Sequence, residues 1–410
     1  MTAAERTPLP AACRLLVASQ GISLAGNGIQ QIALPLWVLN ETGSALSSGI
    51  TFAMQFLPIV LLAPWVGHIA DRYERRGLMI GCELLSALAV VGLLAGVHAR
   101  SVLAVCVLSA LTHALNAVTM PAMQAILISS VPPEDRRRSA ALTEAMQAAV
   151  TVTAPLLGTL IAGRWGIGTA LVVNLGSFVV SAALLAGVGR FPGQAGLRGA
   201  VRSSWRVVGT IAADRTLRWT MLTEAAYFLL FGADLALILF IARERVDGSL
   251  VGLCGAGTGL GWLLASLVLS RRGGSTRPLR LLRLGGLACP AATLLFLALD
   301  RTGPVGLFAA SAALGAVNLA VVSAATTVFQ QRVRQEEAGR TFAARRALLN
   351  GALFLSYLLL PGVAGAGPGN RVTLLLAACL TGLAVCCGGW LADHPTRDRR
   401  ALPVGTAQEA

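Results

Sequence analysis

Twelve apolar stretches, each about 20 residues long or slightly more, leave this chain very few folds to choose from. A stretch of that length crosses a hydrocarbon core about 30 Å thick when it is helical. Lipid supplies no hydrogen-bond partners, so backbone N–H and C=O groups must satisfy one another inside each segment. The spans are expected near residues 13–37, 47–69, 78–98, 101–127, 141–162, 168–189, 219–241, 249–270, 281–299, 304–329, 343–366 and 372–392. The fold class is therefore all-α and integral to the membrane.

Charge decides how the spans are threaded. The chain carries a net charge of +14, which in a soluble protein would point to nucleic acid. Here the arginines crowd into alternate loops, and the positive-inside rule accounts for them without a nucleic-acid partner. Roughly 27 of them fall on the side that also holds both termini, and about 6 on the other. The expected location is a bacterial cytoplasmic membrane, multi-pass, with both termini in the cytoplasm. The eight cysteines lie within or beside spans and contain no CxxC pair, so they read as small buried hydrophobes. No metal site or cofactor is expected.

The longest internal gap divides the spans six and six. Residues 1–189 are expected to form one six-helix bundle and residues 219–410 a second with a short tail. Residues 190–218 form a linker in which Val201, Trp205, Val208 and Ala212 have helical spacing, as in a helix lying on the membrane surface. The halves resemble copies. Val131 to Ser139 matches Val333 to Thr341 at an offset of about 202 residues, and the same offset sets Asn116 over Asn318. Two pseudo-symmetric six-helix bundles with a site at their interface are the architecture of a rocking transporter.

Polar side chains inside hydrocarbon are costly and should face protein or water. On span 1, Gln20, Ser23, Asn27 and Gln31 share one face. On span 4, His113, Asn116, Met120 and Gln124 do the same; Tyr227 and Phe231 share a face of span 7, and span 10 offers Asn318. These residues are the expected lining of a central cavity, with interhelical hydrogen bonding as the alternative use of the same types. Asp234 and Glu224 on span 7 are the expected proton- or cation-binding groups, and His113 is a third candidate. Glu224 has the alternative of pairing with Arg218. Glu83 and Glu144, near helix ends, read as interfacial or ion-paired.

The loop between spans 2 and 3 reads Gly67, His68, Ile69, Ala70, Asp71, Arg72, Tyr73, Glu74, Arg75, Arg76, Gly77. It resembles the signature loop of the major facilitator superfamily, with Glu74 standing where the family has glycine. The resemblance implies that Gly67, Asp71, Arg72, Arg75 and Arg76 form a cytoplasmic gate. In it the Asp71 carboxylate would meet the N-terminus of span 11, or Arg345 and Arg346. The stretch from Asn116 to Ala125, the Val131-Pro132 pair and the Ala154-Pro155 to Gly158 run are similar to bacterial drug:proton antiporters of the macrolide-efflux and siderophore-exporter type. Span 4 lacks the arginine that many proton-coupled drug antiporters carry there.

The expected function is export of a small organic compound by alternating access, in exchange for protons, by a monomer in the bilayer. An importer or lipid translocator of the same fold is the alternative. An enzyme is not expected, because the chain has no HExxH, no GxSxG and no paired carboxylates at one membrane depth.

Overall fold

The computed structural model of the chain describes residues 9–132, 135–192, 209, 211–244, 249–271, 278–299, 302–333 and 335–364, with isolated positions between 380 and 390. The described residues are helical throughout apart from short turns. In order, the helices are α1 (Ala11–Thr42), α2 (Ala45–Arg72), α3 (Arg75–His98), α4 (Val102–Ser130), α5 (Arg136–Ala186), α6 (Arg215–Glu244), α7 (Ser249–Arg271), α8 (Pro278–Leu299), α9 (Pro304–Arg332) and α10 (Gln335–Ala364). The twelfth expected span lies outside the described residues except for the isolated positions, and so do Val201, Trp205 and Val208 of the linker.

Local chemistry sets the helix ends. Gly43 adopts a left-handed conformation (φ 61°) and returns its N–H to the Leu39 carbonyl, which stops α1. Ser44 then caps α2 by accepting from the Ser47 N–H at 3.2 Å, so the turn needs only two residues. Asp214 caps α6 in the same way through the Leu217 N–H at 2.9 Å.

Helix α5 covers two of the expected spans. Its backbone leaves helical geometry at Gly166 (φ 83°, ψ 165°), where a side chain would be strained. The segments on either side, 136–165 and 167–186, both pack on α1. Gly28 of α1 approaches Ala154 of the first segment, and Gly26 approaches Asn174 and Ser177 of the second.

Large apolar side chains lie on the outside of the described helices as well as in their core. On α3, Glu83, Ser86 and Ala87 face inward, while Leu84, Leu85 and Leu88 are exposed. That polarity suits a helix whose outer face meets lipid and whose inner face meets other helices. Six described helical segments are long and apolar enough to cross a membrane on length and composition alone.

Proline inside a span removes one N–H and frees the carbonyl four residues earlier. Pro35 frees the Gln31 carbonyl, and Gln55 of α2 supplies the missing donor through Nε2 at 3.3 Å. Pro155 frees the Thr151 carbonyl, which is turned toward Gly259 of α7; a Cβ there would lie 2.8 Å from that oxygen. Both of these prolines thus face a residue on a neighbouring helix. Replacing Gln55 by Leu should lower stability by about 1 kcal/mol, read as an earlier thermal unfolding midpoint in detergent or nanodiscs. An unchanged midpoint would show that the Gln31 carbonyl needs no partner.

Candidate functional site

The most strongly bonded polar group in the described interior joins α6 to α10. Glu224, with no exposed surface, accepts from Arg345 Nε at 2.7 Å and from Arg345 Nη2 at 2.5 Å. Arg345 also donates to Thr326 of α9 at 3.0 Å and lies over the Phe329 and Phe342 rings, 5.1 and 5.9 Å from their centroids. Two parallel N–H···O bonds and two aromatic faces hold the guanidinium on all sides. This corrects the pairing offered by sequence, because Arg218 donates instead to the Ala212 carbonyl at 2.6 Å. Asp71, the other partner expected for Arg345, has a side chain outside the described ones.

The first six spans hold a carboxylate of another kind. Glu83 of α3 is 2% exposed and accepts from Ser23 Oγ at 3.1 Å and Gln20 Nε2 at 3.4 Å, both on α1. Its partners among the described residues are neutral. Nearby, Asn174 donates to Gln30 Oε1 at 2.7 Å, Gln30 donates to Thr112 of α4 at 3.3 Å, and Ser177 donates to Asn174 Oδ1 at 3.0 Å. This network ties α1, α4 and the second segment of α5 together. Glu83 is not interfacial, as the sequence suggested, whereas Glu144 is exposed.

The signature loop owes its shape to the residue that departs from the family pattern. Glu74 caps α3, its Oε1 accepting from Arg76 N–H at 3.0 Å and its Oε2 from Gly77 N–H at 2.6 Å. The same Oε1 accepts from the Phe191 N–H at 3.1 Å, while the Arg75 N–H donates to the Phe191 carbonyl at 3.0 Å. Arg76 adds a bond to the Ala186 carbonyl at 2.8 Å. Glycine at position 74 would offer none of the side-chain bonds. Burial alone would raise the Glu74 carboxyl, but the Phe191, Gly77 and Arg76 N–H groups and the Arg76 charge outweigh it and hold it below the ordinary value.

Described contacts between the first six spans and the later ones lie toward the arginine-poor end. Phe52 and Phe56 of α2 lie 5.7 and 5.4 Å from Tyr357 of α10, centroid to centroid. Leu36 and Leu39 of α1 pack on Val251 of α7. Gly255 sits against the Pro155 ring, and Gly259 against the Thr151 backbone. A cleft of about 760 Å³ opens beside this seam, between α1, α5 and α7, with Trp37, Asn40 and Arg164 in its lining.

The expected cavity residues are not among those lining that cleft. Gln20 and Asn27 are buried on one face of α1, and both polar atoms of the Asn27 amide lack a partner among the described residues. Gln31, Asn116 and Met120 are half-buried, and Gln124 is exposed. Tyr227 is buried edge-on to Phe228, and Asn318 is buried with no partner for Oδ1 among the described residues. His113 Nδ1 is bonded to the Ser109 carbonyl at 2.9 Å within its own helix. Arg72 is exposed beside Tyr73, and Arg75 is buried. Asp234 and Phe231 lie on α6 and Gly67 and Asp71 on α2, but their surroundings fall outside the described side chains. Sequence reasoning missed Glu83, whose signal was the Gln20 and Ser23 pair on a neighbouring span.

A family model described as Major Facilitator Superfamily matches residues 16–357. Macrolide efflux protein A of Streptococcus pyogenes is 22% identical over 381 residues, covering 90% of this chain and 93% of the relative. The multidrug efflux pump Tap of Mycolicibacterium fortuitum is 35% identical over 94 residues, 23% of this chain and 22% of the relative. Among solved structures, a bacterial homologue of the iron transporter ferroportin in an inward-facing state has a TM-score of 0.68 at 16% identity, covering 92% of this chain and 98% of that one.

Two variants test the geometry. Arg345→Met leaves Glu224 buried without its cation and should cost about 3–5 kcal/mol, read as a large fall in the unfolding midpoint that adding Glu224→Gln partly restores. Glu74 contributes stability above its ordinary pKa of 4.5 and loses it as pH falls through the lowered folded value. The Phe191 amide should therefore lose hydrogen-exchange protection in acid, and in Glu74→Ala, which has no side-chain acceptor, already at neutral pH. Equal protection in both proteins would remove Glu74 as the tether.

Proposed function

Because the chain belongs to the Major Facilitator Superfamily, a family of multi-pass membrane transporters, we propose that it exports a small organic compound from the bacterial cytoplasm in exchange for protons. The observation that carries the direction of transport is the likeness to macrolide efflux protein A, which runs through nine-tenths of both chains. The short match to the Tap pump points the same way. The substrate class is a drug, antibiotic or siderophore-like natural product, handled by a monomer.

The arginine-rich end faces the cytoplasm in this reading, as the positive-inside rule requires, and both termini lie there. The boundaries are those of two bundles, residues 1–189 and 219–410, joined by the 190–218 linker. The seam at the arginine-poor end is then the external gate. Phe52, Phe56 and Tyr357 close it on one side, and Pro155, Gly255 and Gly259 on the other. This arrangement supports an inward-facing state, from which substrate is collected.

Asn27, with an unpartnered buried amide, and Asn318, with an unpartnered buried carbonyl, are the groups best placed to bind substrate. Gln20, Gln31, Asn116, Met120, Gln124, Tyr227 and Phe231 complete the proposed lining. Asp234 is the proposed coupling acid of the later spans. Glu224 is held by Arg345 and His113 by the Ser109 carbonyl, which assigns both to structure before coupling. Asp71 is the proposed cytoplasmic latch, with Gly67, Arg72, Arg75 and Arg76 about it. Its partner becomes the N-terminus of α10 or the exposed Arg346, since Arg345 is engaged.

The test is dissipation of a pH gradient in energised inside-out vesicles challenged with macrolides, cationic dyes and siderophores. One or more of these should collapse the gradient in the native protein but not in Asp71→Asn or Asp234→Asn at equal expression. Substrate accumulation in intact cells, in place of clearance, would overturn export. Unchanged transport by Asp234→Asn would remove that residue from the mechanism.

A further inference from the structure

Two buried carboxylates sit at matching levels of the two six-helix units, and only one has a cation. Glu224 lies nine residues into α6 and Glu83 eight residues into α3, so both are about 12–14 Å from the arginine-rich ends of their helices at 1.5 Å per residue. Gln20, which bonds Glu83, is also nine residues into α1. Glu224 is neutralised by a bidentate arginine. Glu83 has an amide and a hydroxyl, with the buried Ser181 hydroxyl of α5 as a third neutral neighbour. A permanently ionised carboxylate in that setting is costly, since a neutral donor returns only part of the lost hydration.

We propose that Glu83 is a proton-binding site, and that α1 reads its occupancy through the Gln20 side chain. Gln20 can serve both protonation states. With Glu83 ionised, Gln20 Nε2 and Ser23 Oγ donate to its two oxygens, as in this structure. Gln20 Oε1 is then buried with no partner among the described residues. On protonation, one carboxylate oxygen takes up H⁺ and becomes a donor. Rotating the Gln20 amide by half a turn brings Oε1 round to accept it. The rotation swings Nε2 away from Glu83, on the face of α1 that carries Ser23 and, two turns on, the unpartnered amide of Asn27. Proton binding on α3 is thereby converted into a change of donor and acceptor on the helix proposed to touch substrate.

The charges that face this site are few. Between Arg14 and Glu41, α1 has no titratable residue, and the 167–186 segment of α5 has none. The first segment of α5 carries Arg136, Arg138 and Glu144, all exposed, Arg137, whose side chain lies outside the described ones, and Arg164 at its far end. On α4, His113 is bonded to Ser109, and Cys106 lies toward the opposite end. On α3 itself, Cys82 is adjacent, Arg75 and Arg76 are about two turns away, and His98 is at the other terminus. On α2, whose Leu62 and Ile69 belong to the cluster around Cys82, Arg72 is exposed, and His68 and Asp71 have side chains outside the described ones. Among the described side chains, none makes an ion pair with Glu83.

This inference rests on the proton-coupled reading above, but its first test does not. The full chain in lipid bilayers is titrated by infrared difference spectroscopy, following the carboxylic C=O stretch. A band that appears on acidification should be lost in Glu83→Gln. In Gln20→Leu, which keeps the carboxyl and removes its switchable partner, the band should shift in frequency and titrate at a different pH. A purely structural Gln20 would move neither. An unaltered band in Glu83→Gln, or in Gln20→Leu if the first variant does not fold, overturns the proposal. In vesicles, substrate-driven proton movement retained by Glu83→Gln would overturn the coupling role alone. Its absence from the native protein, with the band still titrating, would overturn proton antiport and leave the site standing.

Discussion

Hydrocarbon offers no hydrogen bonds, and the architecture of this chain follows from how each polar group is answered from within. Most of the backbone is answered by helix formation. The exceptions are the carbonyls that prolines set free, and their positions explain several interhelical contacts. Gln55 reaches across from α2 to the Gln31 carbonyl exposed by Pro35. The Thr151 carbonyl exposed by Pro155 is approached by Gly259, the residue type that lets a second backbone come that near. The second of these lies on the seam between the two six-helix units, so a local defect in one helix becomes part of the surface on which the units meet.

The same demand acts on side chains and separates the two buried acids. Glu224 is answered by a full positive charge clamped by Thr326, Phe329 and Phe342, an arrangement that breaks only at high cost. Glu83 is answered by dipoles that can reorient. A fixed pair suits a scaffold, and a reorientable one suits a site whose charge changes. The pseudo-symmetry of the fold has thus been used asymmetrically, with rigidity in the later spans and adaptability in the earlier ones.

Much of this was legible in the sequence. Apolar length pointed to the helices that the described residues form, and the loop from Gly67 to Gly77 pointed to the family that the 16–357 match establishes. Turn chemistry at Gly43 and Ser44 was also local. What escaped was whatever depended on distant partners. Arg345 is 121 residues from Glu224, and nothing in the spacing on α6 marks it out. Glu83 looked interfacial because helix position alone does not say which face is covered. Glu74 read only as a departure from the glycine of the signature motif; its role emerges only when Phe191, 117 residues later, is beside it. Sequence periodicity tells which residues share a face, while the identity of the opposing face is set by packing.

Gly166 joins the two segments of α5 with almost no intervening chain. The first segment touches α7 across the seam, and the second interlocks with Gln30 and Gly26 of α1. A joint that short has no slack to absorb displacement. Any tilt imposed on the first segment when the seam opens must be carried into the second and through it into α1. In the proposed transport cycle the turn would therefore act as a tie rod rather than a tether, moving both segments of α5 together with α1.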